Sequence, residues 1–161
     1  MVPRLKNSRE DYEMNTETNT LSTAPYGIFA MRVALGVMFV AHGLILKYFT
    51  FTLGGTAQFF ESLGLPGFLA YVVFAAETLG GLALIAGFQT RLVSFAMVPI
   101  LIGAAQVHIG NGWVFSAQGG GWEYPVYLTV AAIAQGLMGA GAFAVSKREI
   151  SLPLLSNKAL A

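Results

Sequence analysis

The chain has 161 residues, a length that fits one domain. Hydrophobic residues make up 55% of it and charged residues 11%, against about 25% charged in an ordinary soluble domain; the mean hydropathy is +0.64 and the net charge +1. These values count against a water-soluble enzyme or a nucleic-acid binder and leave a small integral membrane protein.

A polar tail occupies residues 1–24, with Arg4, Lys6, Arg9, Glu10, Asp11, Glu13 and Glu17. A second tail, 147–161, carries Lys147, Arg148, Glu149 and Lys158. Between them, residues 25–146 hold only Arg32, Lys47, Glu61, Glu77, Arg91 and Glu123 as charged groups. The first apolar run, 26–46, is long enough for the roughly 20 residues that a bilayer core requires. It follows a polar tail and precedes three further runs, so it reads as a retained span rather than a cleaved signal. Arg32 lies about two turns into this span and His42 one turn from its far end. In residues 48–67, Phe59, Phe60 and Leu63 share one helical face, which predicts a short interfacial helix stopped by Gly64 and Pro66.

The second run, 68–88, places Glu77 near its middle. A carboxylate at that depth needs a partner, neutralisation or a wet cavity. Two readings stay open. Glu77 either anchors packing, accepting hydrogen bonds from Arg32 or from hydroxyls such as Tyr71 or Ser94, or it handles protons and orients a ligand. A three-residue loop, 89–91, makes the third run, 92–109, an antiparallel neighbour of the second. Pro99 within that run predicts a bend, and His108 marks its outer end. The glycine-rich loop 110–124 holds Trp113, Trp122, Glu123 and Tyr124, residue types at home at a membrane–water boundary. The fourth run, 125–145, repeats Ala132, Gly136, Ala140 and Ala144 every four residues, a stripe that permits close helix approach.

Four spans put both termini and the 89–91 loop on one side. Arg4, Lys6, Arg9, Arg91, Lys147, Arg148 and Lys158 fall there, with Lys47 alone opposite, so that side reads as cytoplasmic. The expected fold is therefore an all-α membrane protein, a four-transmembrane-helix bundle with both termini cytoplasmic. The chain has no cysteine, which excludes disulfides, thiolate metal ligation and a cysteine nucleophile. His42, His108, Glu123 and Lys47 share a band at the outer boundary. Imidazole exchanges protons near neutrality, and a quinone headgroup needs hydrogen-bond donors to its two oxygens and a proton route. The band suits such a ligand. No HxxxH or HxH spacing sets a metal site, no motif predicts a covalently bound cofactor, and no glycine-rich nucleotide motif appears.

These residues fall into a pattern. RVALGVMFVAHGLILK (32–47), QFFESLGLPG (58–67), AETLGGLALIAGFQTRL (76–92), His108 and GAGAF (139–143) resemble the DoxX family of small four-helix membrane proteins. The resemblance implies a four-span protein of the bacterial or archaeal cytoplasmic membrane. The family's namesake is similar to a subunit of an archaeal thiosulfate:quinone oxidoreductase, and other relatives have been linked to membrane-associated redox or oxidative-stress assemblies. Glu123–Tyr124 corresponds to an acidic–aromatic pair seen in some members. The chain departs from the pattern after Ser146, where Lys147 stands in place of the usual Asp.

The expected function is that of an accessory subunit in a membrane-associated, quinone-linked oxidoreductase system, seated among membrane lipids beside a soluble or peripheral redox partner. In that reading Glu77 and His42 handle protons, Arg32 polarises Glu77 or fixes its charge, and His108 with Glu123 borders the outer entrance. A non-catalytic scaffold that recruits partners is the alternative, and a small-solute permease built as a homo-oligomer a further one.

Overall fold

A computed structural model describes residues 22–146. Apart from residues 22–24, the predicted tails 1–24 and 147–161 lie outside the described residues. Every regular element among the described residues is helical.

Helix α1 spans Ala24–Val40 and opens with Pro25 in its first turn, where a missing N–H costs nothing. It does not stop at the predicted boundary. The chain continues from Ala41 to Thr50 as a wider π-helix, and the Phe51 N–H donates to the Leu46 carbonyl, five residues back, at 2.8 Å. Helix α2, Leu53–Ser62, follows immediately. Its N-cap is Thr52, whose Oγ1 accepts from the Gly55 N–H at 3.1 Å. Gly64, at φ 77°, ends the turn that follows α2, as the Gly64–Pro66 signal predicts.

Helix α3 spans Phe68–Ala86 and ends on Gly87 at φ 74°. The Gly87 and Phe88 N–H groups donate back to Leu84 and Ala83, a Schellman arrangement that glycine accommodates without strain. Helix α4, Thr90–His108, contains Pro99 and passes into a single 3₁₀ turn at Ile109–Asn111. Helix α5 spans Glu123–Met138.

Three of these helical runs are long and apolar enough to cross a membrane: Ala24–Thr50, Phe68–Ala86 and Thr90–Asn111. The fourth apolar run differs from expectation. Its helix stops at Met138, because Gly139 takes φ 85°, and residues 139–146 return as non-helical chain. Ala142 donates to the Pro25 carbonyl at 2.9 Å, and Val145 and Ser146 donate to Ala86 and Gly87 at 3.0 and 3.3 Å. This segment ties the end of α5 to the start of α1 and the end of α3.

The helices pack chiefly as two pairs, α1 with α3 and α4 with α5. Leu35, Phe39, Leu84, Met97, Leu101, Leu128, Ala131 and Ala132 form the buried core. Glycine sets the first pair. A Cβ on Gly36 would lie 2.7 Å from the Gly81 carbonyl oxygen, and a Cβ on Gly81 would lie 2.7 Å from that of Gly36. The large apolar side chains that remain exposed, such as Leu79, Leu82, Val130 and Leu137, suit contact with hydrocarbon.

Candidate functional site

The internal charged groups fall in two layers. The first layer is centred on Glu77 in α3, which is 7% exposed. Its partner is Lys47, whose Nζ lies 2.6 Å from Glu77 Oε2. Lys47 stands in the π-helical stretch, and its Nζ also approaches the His42 carbonyl at 3.5 Å. Gly43 makes the approach possible. A Cβ there would lie 2.6 Å from Thr78 Oγ1 and 3.2 Å from Glu77 Cβ, so the two backbones close to a distance that a larger residue would prevent. π-Helical turns are rare and recur at functional sites. Here the wider turn carries both Lys47 and His42.

His42 Nδ1 is 2.8 Å from the Met38 carbonyl. A carbonyl only accepts, so Nδ1 carries the hydrogen, and any lone pair of the ring is on Nε2. The ring stacks on Tyr124 of α5, with centroids 6.0 Å apart and planes at 25°.

The second layer contains Arg32, which is fully buried. The sequence reading pairs it with Glu77; the structure does not. Arg32 Nη1 donates to the carbonyls of Leu84 at 3.1 Å and Ile85 at 3.4 Å, and Nη2 donates to Ala142 at 3.0 Å. The Leu84 and Ile85 carbonyls lie at the end of α3, where the macrodipole is negative. The guanidinium thus caps α3 and holds the returning 139–146 segment. A Cβ at Gly87 would collide with Nη1, so glycine is required there for space as well as for its backbone angle. Leu84 lies seven residues beyond Glu77, about 10 Å along the axis. Leu35 and Phe39 on α1 and Met97 on α4, whose methyl end lies against Gly80, fill the level between the layers.

His108 and Glu123 belong to neither layer. His108 Nδ1 lies 3.0 and 3.2 Å from the carbonyls of Gly119 and Gly120. Asn111 Nδ2 donates to the same two carbonyls at 3.0 and 2.9 Å. Glu123 Oε1 accepts from the Phe115 N–H at 2.9 Å. Both side chains therefore shape the 109–122 loop, where Trp113 and Trp122 meet edge to face at 4.4 Å. Among the described residues, no three His, Asp or Glu side chains gather as a metal site.

Of the openings on the described surface, two that stand out are not lined by Glu77, Lys47 or His42. One, of about 510 Å³, lies at the Arg91 end against Gly139, Ala144 and Ser146. The other, of about 300 Å³, is an apolar groove between α4 and α5 beside Gln106 and Trp122. Sequence reasoning thus marked Glu77 as a mid-span carboxylate in need of a partner and put His42 and Lys47 together at the outer boundary, but it offered Arg32, Tyr71 or Ser94 as that partner and missed Lys47. A signal for Lys47 did exist: a lysine just past a span, four residues beyond a glycine that permits close approach.

The DoxX family model matches residues 27–117, more than half of the chain. The chain is 44% identical over 78 residues to CatD of Bacillus subtilis (strain 168), a protein provisionally named an oxidoreductase; the match covers 48% of this chain and 56% of that one. It is 36% identical over 67 residues to the inner membrane protein YqjF of Escherichia coli (strain K12), covering 40% and 48% respectively. The chain therefore spans about half the length of the curated relatives it matches. No solved structure matches it.

Proposed function

Because the chain belongs to the DoxX family, we propose that it serves as an integral accessory subunit of a membrane-associated oxidoreductase system in the cytoplasmic membrane. In this reading the chain is the membrane seat and a partner protein carries the redox cofactor. The observation that carries it is how the buried charges are used. Lys47 and Glu77 close on each other at 2.6 Å, and Arg32 is committed to the Leu84 and Ile85 carbonyls at the end of α3 and to the Ala142 carbonyl of the returning segment. These groups hold helices together, as a platform requires. The redox direction rests on the similarity to CatD.

The topology belongs to the same proposal. Helix α5 has 16 residues, about 24 Å, and becomes a fourth crossing when the 139–146 segment completes it. Non-helical backbone is tolerated at that depth only where protein satisfies it, and Ala142, Val145 and Ser146 are bonded to α1, α3 and Gly87. The Lys and Arg bias puts both termini in the cytoplasm.

A quinone is the narrower part of the reading. His42, with Nδ1 committed to Met38, offers Nε2 as an acceptor beside the Tyr124 ring. The scaffold reading draws on the same ion pairs and differs in its partners. A permease is disfavoured by the apolar level between the two polar layers.

Purification from native membranes in a mild detergent separates the readings. An oxidoreductase subunit is expected to bring down a partner with bound flavin, haem or iron–sulfur absorbance, and the assembly is expected to reduce or oxidise a soluble quinone analogue. Recovery of the folded chain with partners that carry no redox group would sink the oxidoreductase assignment and leave the scaffold.

A further inference from the structure

Three buried oxygens near the Arg32 end make no hydrogen bond: Thr90 Oγ1, Ser94 Oγ and Gln135 Oε1. All three residues are 0% exposed. Thr90 and Ser94 stand one turn apart on the same face of α4. Gln135 on α5 lies at their level. The level is fixed by Arg91, which donates to the Gly136 and Leu137 carbonyls at 3.1 and 2.8 Å, and by the Phe95 ring, which a Cβ on Gly136 would meet at 2.8 Å. The Gln135 amide is oriented by its Nε2, which donates to the Gly139 carbonyl at 2.6 Å. Its Oε1 is therefore an acceptor facing the interior. A buried polar atom without a partner is costly, and surrounding lipid supplies none. Three such atoms at one level call for a shared ligand.

The chemistry of the set narrows that ligand. Two hydroxyls can donate or accept, and the amide oxygen only accepts. A cation would meet the Arg32 guanidinium, which lies against Gly87, three residues before Thr90, and be repelled. An anion would meet the Gln135 oxygen. A small neutral molecule that both donates and accepts satisfies all three.

We propose that this layer is a water-binding site, in which water bridges Thr90, Ser94 and Gln135 beside Arg32. The supply route is the 510 Å³ cavity whose wall includes Gly139, the residue that accepts from Gln135. The water stops at Leu35, Phe39 and Met97, which are 3 to 5% exposed and apolar. The bundle is then hydrated from one end and sealed at its middle. This inference rests on the bundle's geometry and stands whether or not the oxidoreductase role does.

Water-edited solid-state NMR on the full chain in lipid bilayers tests it. Polarisation from mobile water is expected to build up several-fold faster on the Thr90, Ser94 and Gln135 side chains than on Phe39 and Leu84. Equal, slow build-up on all five would overturn the site. Ser94→Ala gives an independent readout. With bridging water, it slows transfer to Gln135 and lowers the thermal midpoint. In a dry layer it removes an orphaned hydroxyl, so an unchanged or higher midpoint would overturn the proposal.

Discussion

Lys47 and Glu77 show why a buried ion pair constrains a bundle more than it stabilises it. Removing one partner leaves an uncompensated charge in a low-dielectric interior, a loss of about 3–5 kcal/mol, whereas replacing both with apolar residues of similar size is near neutral. Lys47→Met and Glu77→Leu are therefore each expected to cost about 3 kcal/mol, since each strands the other's charge. The double variant Lys47→Met/Glu77→Leu should recover most of the loss. Denaturant titration in detergent micelles reads all three, and additive single losses in the double variant would show that the two side chains act independently. The need for a partner was legible in the sequence, because Glu77 sits mid-span where no carboxylate is stable alone. The identity of the partner was not. Arg32 was the other charge well inside a span, and Lys47 fell one residue past the predicted boundary at 46. The π-helical continuation to Thr50 brings Lys47 into the bundle, and a change in helical register of that kind leaves no mark in hydropathy.

At the scale of the element, glycine decides which helices touch. Gly36 and Gly81 bring the α1 and α3 backbones together, and a Cβ on either would lie 2.7 Å from the other's carbonyl oxygen. The obstacle is backbone and cannot swing aside, so Gly36→Ala and Gly81→Ala are each expected to cost about 1–3 kcal/mol. Gly103, in α4, has open space around its Cβ position, and Gly103→Ala should cost nothing and gain up to about 1 kcal/mol in helix propensity. Thermal unfolding in one detergent compares them, and a similar loss at all three positions would refute the close-approach account. The first three helical runs were legible because apolar length and turn residues agree there. The end of the fourth was not. Residues 139–145 are as apolar as the helix before them, so hydropathy carries the span to 145, while the positive φ of Gly139, Gly141 and Phe143 breaks the helix at Met138.

For the molecule as a whole, the bonds at each end bear on the four crossings proposed above. Trp122 and Glu123 N–H groups donate to Gly112 and Trp113, so α5 begins where α4 has ended. Val145 and Ser146 donate to Ala86 and Gly87, so the chain after α5 finishes where α3 ended and α4 began. Helix α5 with its returning segment therefore runs between the same two ends as α4, which is itself long and apolar enough to span. The native chain has no cysteine, so single cysteines report topology without a background. Phe88, Phe115 and Val145 are 54, 66 and 71% exposed, and each can be replaced without opening the core. With cytoplasmic termini, a membrane-impermeant maleimide applied to cells with a permeabilised outer barrier should label Phe115→Cys at once. Phe88→Cys and Val145→Cys should react only after the cytoplasmic membrane is broken. Labelling of Phe88→Cys and Val145→Cys first would invert the orientation read from the Lys and Arg bias. Labelling of Val145→Cys together with Phe115→Cys, with Phe88→Cys protected, would mean that α5 does not cross. The hydrogen bonds from Val145 to Ala86 and from Ser146 to Gly87 would then have to be absent in the membrane.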